Sequence, residues 1–172
     1  MGDVYDDDKR EIRRAMHVRR AGLGSDEVAR GSAAACARVL ALPVFAAARH
    51  VVLYDPMRGE LDPAAIAERA RALGKSLYYP RPPRETPGFA GLEPGAGDVL
   101  FVVPGLAFDA RGVRVGRGGG WYDRALGAWR DGVRVGFGFD FQLVPLLPEA
   151  PWDVRMHLVV TDERLGAMKE TP

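Results

Sequence analysis

A chain of 172 residues that is 47% hydrophobic and 27% charged has enough apolar material for the core of one domain, here read as 1–172, and too much to remain disordered. Its 24 lysines and arginines balance 23 aspartates and glutamates, which leaves no net field to draw it onto nucleic acid or an anionic membrane. A lone cysteine, Cys36, excludes a disulfide framework or cysteine metal cluster. No run nears the ~18 apolar residues of a membrane span, and the charged start does not read as a secretory signal, so a cytoplasmic location is expected.

The periodicity predicts a charged helix from Asp6 to Arg20, with Ile12 and Met16 as apolar anchors. Ser25 is placed to cap a second helix running to Leu40. Val51 to Tyr54 reads as a strand. Asp62-Pro63 then has the form of an N-cap followed by proline and opens a helix to Leu73, which Gly74 ends. Ser76 to Tyr79 is the next strand, and Pro80 to Gly97 an irregular loop. Further strands are expected at Val99–Val103, Val133–Phe139 and Met156–Thr161, with a helix at Trp121–Trp129. Strands alternating with helices argue for an α/β fold of three layers, with a mostly parallel central sheet and helices on both faces. Ligands of such folds sit beyond the carboxyl ends of the strands. Here those positions are Asp55–Glu60, Pro104–Asp123, Asp140–Gln142 and the surroundings of Thr161.

The segment Val103 to Arg124 crowds Gly116, Gly118, Gly119 and Gly120 between Arg114, Arg117 and Asp123. Glycine is costly to order, but it lets backbone N–H groups converge on an anion with no Cβ in the way. Arginine forks suit phosphate oxygens. A helix starting near Trp121 would add the positive end of its dipole, worth about 0.3–1 kcal/mol at an exposed site. Micromolar binding needs roughly 8 kcal/mol, so side-chain cations or a metal must contribute. Asp123 would repel a phosphate unless Mg²⁺ lay between them; a first-turn carboxylate favouring the helix is the alternative. The run is neither a Walker A loop nor a dinucleotide fingerprint: no Gly-Lys-Ser/Thr ends it, and Trp121 stands where the last glycine would be needed. A flexible surface loop is the competing reading of the glycines.

Lys9 and Arg13, four apart, share a helix face. They can flank an anion or belong to a solvated basic face with Arg10, Arg14, Arg19 and Arg20. Glu60, after Gly59, can accept substrate N–H groups or serve as a turn residue. Gln142 can meet a ligand or water, and Asp153 is placed as a local cap. His17, His50 and His157 lack metal-ligand spacing.

Taken together, these residues resemble the 5-formyltetrahydrofolate cyclo-ligase family. The resemblance rests on Lys9 and Arg13, on Glu60 in Gly59-Glu60-Leu61-Asp62, on Pro104-Gly105-Leu106-Ala107-Phe108-Asp109 and on Gly112 to Arg124, with Gln142 and the Asp153 segment following. It covers nearly the whole chain in order. It implies an ATP- and Mg²⁺-dependent ring closure of 5-formyltetrahydrofolate to 5,10-methenyltetrahydrofolate through a phosphorylated formyl group, with release of ADP and phosphate. It further implies that Lys9, Arg13, Arg114, Gly116, Arg117, Gly118, Gly119, Gly120, Trp121 and Tyr122 hold ATP, with Arg117 and Tyr122 catalytic. Asp55, Glu60, Tyr122 and Gln142 would meet the folate, and Asp123 and Asp153 the Mg²⁺. A small-molecule partner is thus expected, with no nucleic acid, no membrane, and a monomer or weak homodimer. Several positions depart from the pattern: Trp121 replaces the commoner tyrosine, Gly119 stands where some members have lysine, and His157 where many have aspartate. The segment 81–98 is short, leaving Phe89 as the candidate to cover a folate. The alternatives are a nucleotide-binding member with another substrate and a non-catalytic nucleotide- or RNA-associated module.

Overall fold

The computed structural model describes residues 4–81, 87–129 and 131–166, with side chains from residue 7 onward. Two helices open the chain, α1 (Val4–Ala21) and α2 (Ser25–Leu40), followed by a short α3 (Pro43–Ala47). Strand β1 (His50–Val52), helix α4 (Ala64–Ala72), β2 (Ser76–Tyr78) and β3 (Val99–Pro104) follow. Next come β4 (Ala107–Asp109), β5 (Arg114–Val115), α5 (Trp121–Leu126), β6 (Val133–Phe137), β7 (Leu143–Val144) and β8 (Leu158–Val160). Strands β2-β1-β3-β6-β8 form one sheet in that order, and every pairing in it is parallel. This is the doubly wound order, in which the chain reverses direction across the sheet between β1 and β3.

Both faces of the sheet are covered. Leu100, Val102, Val135, Phe137 and Val160 pack towards Val39, Ile66 and Ala70 of α2 and α4. Phe101, Val103 and Val159 pack with Leu126 of α5 and with Phe89 and Trp129. Alternate strand residues point to opposite faces, so a doubly covered strand such as β3 is apolar throughout: its first five residues are all buried.

The expected elements are present, with shifted ends. Gly24, not Ser25, occupies the N-cap of α2. Asp62 does bond the start of α4, accepting from the Ala64 N–H at 2.9 Å. Gly74 ends that helix at φ 70°. Residues Leu143 and Val144, together with β4 and β5, make a second, three-stranded sheet, β5-β4-β7, that the sequence reading lacked. Its strands are too short for periodicity to register. Apolar residues of this sheet, Ala107 and Val115, pack with Leu106, Val113 and Leu147 against Met16 of α1. That packing lays α1 beside the loop that follows β5. Of the expected irregular loop, residues 82–86 lie outside the described set, while Pro80 and Phe89 form an antiparallel bridge. No helix among the described residues is long and apolar enough to cross a membrane.

Candidate active site

The glycine loop lies between β5 and α5, and α1 runs against it. Arg13 Nε donates to the Gly116 carbonyl at 3.0 Å, and its guanidinium carbon sits 3.4 Å from where a Cβ on Gly118 would be. Gly118 and Gly120 have φ of 105° and 57°. A Cβ placed on Gly119 would meet no atom within 4 Å. The loop therefore folds where L-side chains are strained, and its outer surface stays open at Arg117–Gly119. Arg124 Nη1 braces it through the Gly119 carbonyl at 2.9 Å. Helix α5 has only six residues, so its dipole adds less than expected, and side-chain cations must supply most of the attraction.

Those cations are already paired. Lys9 Nζ forms a salt bridge to Asp153 Oδ2, with 9% and 8% of the two side chains exposed. The same oxygen accepts the Ala150 N–H at 2.8 Å, the local cap expected of Asp153. Asp123 Oδ2 accepts from Arg114 Nη2 at 3.1 Å, and its Oδ1 from the Val154 N–H at 3.1 Å. Asp123 and Asp153 thus meet the same short stretch of backbone. Arg114 is 6% exposed and lies over the Tyr122 ring at 5.3 Å. Instead of facing solvent as a free fork, it sits beneath the loop and orients Asp123. Its Nε is buried with no hydrogen-bond partner among the described residues, and so is Trp121 Nε1. Two carboxylates beside an open loop match the protein share of a Mg²⁺–phosphate site, which takes its remaining oxygens from phosphate and water. No cluster of three or more His, Cys, Asp or Glu residues suited to a protein-only metal cage occurs among the described residues.

Glu60 forms the second centre. Its Oε1 accepts from Arg117 Nη2 at 3.3 Å and forms an ion pair with Arg20 Nη2 at 3.0 Å, and its Oε2 accepts the Met57 N–H at 2.9 Å. Tyr54 lies close by. Burial, then Glu60 and Tyr122, push its phenol well above the ordinary value. Its hydroxyl donates to the Leu61 carbonyl at 2.6 Å. Desolvation, then Arg20 and Arg117, lower the His17 imidazole. The loop after β1 and the loop after β5 therefore meet at the Glu60–Arg117 pair.

Other expected site residues lie elsewhere or are otherwise engaged. Gln142 does not face a ligand. It is 2% exposed, and its Nε2 donates to the Gly105 and Leu106 carbonyls while its Oε1 accepts the Phe139 N–H. A buried amide must satisfy its groups internally, and this one does so by pinning the turn after β3. Asp55 is exposed and lines a separate cavity of about 200 Å³ with Arg71 and Tyr79. Phe89 is 1% exposed, packed edge-on against Trp121 and Trp129, and belongs to the core rather than to a folate cover. Asp140 and Thr161 bond each other at 2.9 Å and form a separate cluster with Arg164. A further cavity of about 680 Å³, between α2 and α4, is lined by alanines, Leu23, Val28 and Cys36 together with polar groups that include Ser32, Asp62 and Glu68. Glu60 itself is not among its lining residues, although Arg58, Gly59 and Asp62 beside it are.

Arg20 belongs to the site although a run with Arg10, Arg14 and Arg19 also fits a solvated basic face. At about 100° per residue, Lys9, Arg13, Met16 and Arg20 fall within about 60° of one another. A helical projection would have placed Arg20 on the buried face.

A parallel doubly wound sheet, with an open glycine loop flanked by cations and two carboxylates beyond its strand ends, defines an α/β protein of the ligand-binding doubly wound class. The family can be stated more closely. The model of the 5-formyltetrahydrofolate cyclo-ligase family matches residues 5–95 and 91–162, and the chain belongs to that family. The 5-formyltetrahydrofolate cyclo-ligase of Escherichia coli strain K12 is 30% identical over 159 residues, covering 76% of this chain and 87% of that protein. A solved 5,10-methenyltetrahydrofolate synthetase from Mycoplasma pneumoniae superposes with a TM-score of 0.79 at 25% identity, covering 90% of this chain and 99% of that one. A second, from Aquifex aeolicus, gives 0.78 at 28% identity, with 95% and 94% covered. The chain is accordingly an enzyme of the C–N bond-forming cyclo-ligase class.

Proposed function

We propose that this enzyme closes 5-formyltetrahydrofolate to 5,10-methenyltetrahydrofolate at the expense of ATP. The observation that carries this reading is the Glu60–Arg117 contact, which joins a carboxylate suited to pterin N–H groups to a guanidinium on the glycine loop. Two substrates that exchange a phosphoryl group must meet at such a junction.

In this reading Lys9, Arg13 and the backbone of Gly116–Gly120 hold the triphosphate, with Trp121 and Tyr122 at the start of α5. Mg²⁺ held by Asp123 and Asp153 would screen the phosphate charge. The formyl oxygen on N5 attacks the terminal phosphorus, and ADP leaves. Arg117 moves from Glu60 to the transferring phosphoryl group and offsets its charge, a mainly electrostatic task. N10 then attacks the activated formyl carbon and loses its proton, and phosphate departs with the former formyl oxygen. Glu60 orients the pterin so that N10 meets that carbon, and Tyr122 lies against the folate. Asp55 could contact only a distal part of it.

The test is direct. Protein mixed with 5-formyltetrahydrofolate, ATP and Mg²⁺ should generate the near-ultraviolet absorbance of the methenyl product, with one ADP formed per product. Nucleotide binding without that absorbance would assign a different substrate, and absence of nucleotide binding would refute the reading.

A further inference from the structure

Glu60 is shared by two arginines, and they differ in kind. Arg117 sits on the open loop with 40% of its side chain exposed, whereas the Arg20 side chain is 4% exposed. Arg20 Nη2 holds Glu60 Oε1 at 3.0 Å while its Nε donates to the Gly59 carbonyl at 3.0 Å. One planar fork thus grips the carboxylate and the backbone just before it. The fit is close on the other side as well. A Cβ on Gly59, whose φ is 75°, would lie 2.8 Å from the Arg20 carbonyl oxygen. The end of α1 and the turn after β1 are therefore clamped together independently of the glycine loop.

We infer that Arg20 is the positioning residue for Glu60, holding the carboxylate in place when Arg117 leaves it for phosphate. The inference rests on the folate role of Glu60 proposed above. If Arg117 alone held Glu60, nucleotide binding would release the group that orients the second substrate. With Arg20 in place, each loop keeps its own anchor, and the two sites share only Arg117.

A double-mutant cycle tests this in the full-length protein. The affinities for 5-formyltetrahydrofolate and for Mg-ATP are measured separately by equilibrium dialysis in the wild type, Arg20→Met, Glu60→Gln and the double variant. Loss of the nearly buried ion pair should weaken folate binding about tenfold or more in Arg20→Met, with Mg-ATP affinity within about twofold of wild type. On the Glu60→Gln background the same substitution should change folate affinity by less than about twofold. Arg20→Lys keeps the charge but loses the fork, and should recover part of the affinity; it replaces Arg20→Met in the cycle if the latter does not fold. Equal loss of both ligands, or an undiminished effect without Glu60, would reduce Arg20 to a structural residue. Unchanged folate affinity in Glu60→Gln alone would overturn the substrate reading instead.

Discussion

Lys9 and Asp153 stand 144 positions apart in sequence and form a nearly buried pair. Arg114 and Asp123, 9 positions apart, form a second such pair under the glycine loop. Before ligands arrive, Lys9 and Arg114 are thus neutralised by the two carboxylates proposed above to hold Mg²⁺. Buried charges left single are costly, and such pairing removes that cost. It also means that metal and nucleotide should bind better together than apart, because each frees the other's partner. Asp123→Asn tests one half of the arrangement. The amide oxygen can still accept from the Val154 N–H, but Arg114 loses its counter-charge, so the melting temperature should fall while the protein stays folded. The Mg²⁺ concentration needed for half-maximal turnover should rise about tenfold or more. An unaltered Mg²⁺ dependence would remove Asp123 from the site. Residue types in this site were legible in the sequence, but their pairings were not: Lys9, Asp123 and Asp153 could be named, whereas the burial of Arg114 and Arg20 depends on what packs above them.

Among the elements, two glycines in different loops make a controlled contrast. Gly119 has free space where a side chain would begin, whereas Gly59 presses on the Arg20 backbone at positive φ. Gly59→Ala should therefore destabilise the fold by about 2 kcal/mol or more, visible as a lower melting temperature. Gly119→Ala should leave stability within about 0.5 kcal/mol yet weaken nucleotide binding, because the new methyl would point into space that a phosphate needs. Equal melting losses in the two variants would refute that division. The long helices were readable because burial stamps a period on them, and β3 because burial on both faces leaves an unbroken apolar run. Strands β4, β5 and β7 were not: none exceeds three residues, and β7 reaches β4 from far along the chain.

For the whole molecule, protonation offers a test of packing. Burial first, then Arg134, lowers the His157 imidazole below its ordinary value of 6.5. Its Nδ1 accepts the Arg134 N–H at 2.9 Å, so the neutral ring is the form that fits. The unfolded chain binds this proton more readily than the folded one. The contribution is thus complete above pH 6.5 and is lost as pH falls below it. The melting temperature should decline between pH 7 and pH 5, and His157→Gln should flatten that slope. A slope unchanged by the substitution would locate the pH sensitivity elsewhere. The thiol of Cys36, pushed up to about 11 mainly by burial, should resist alkylation at neutral pH until the protein unfolds.

Roles for Lys9, Arg13, Glu60, Asp123 and Asp153 came only with the family resemblance, whereas sequence alone determined the alternation of strands and helices and the position of the glycine loop beyond a strand end. These follow from local periodicity, backbone freedom and side-chain type, which the chain carries residue by residue. Tertiary structure decided that Gln142 and Phe89 are interior, that Asp55 stands apart and that Arg20 reaches Glu60. Those outcomes depend on which surfaces are covered when α1 lies along the second sheet, and burial is a property of neighbours rather than of the residue itself.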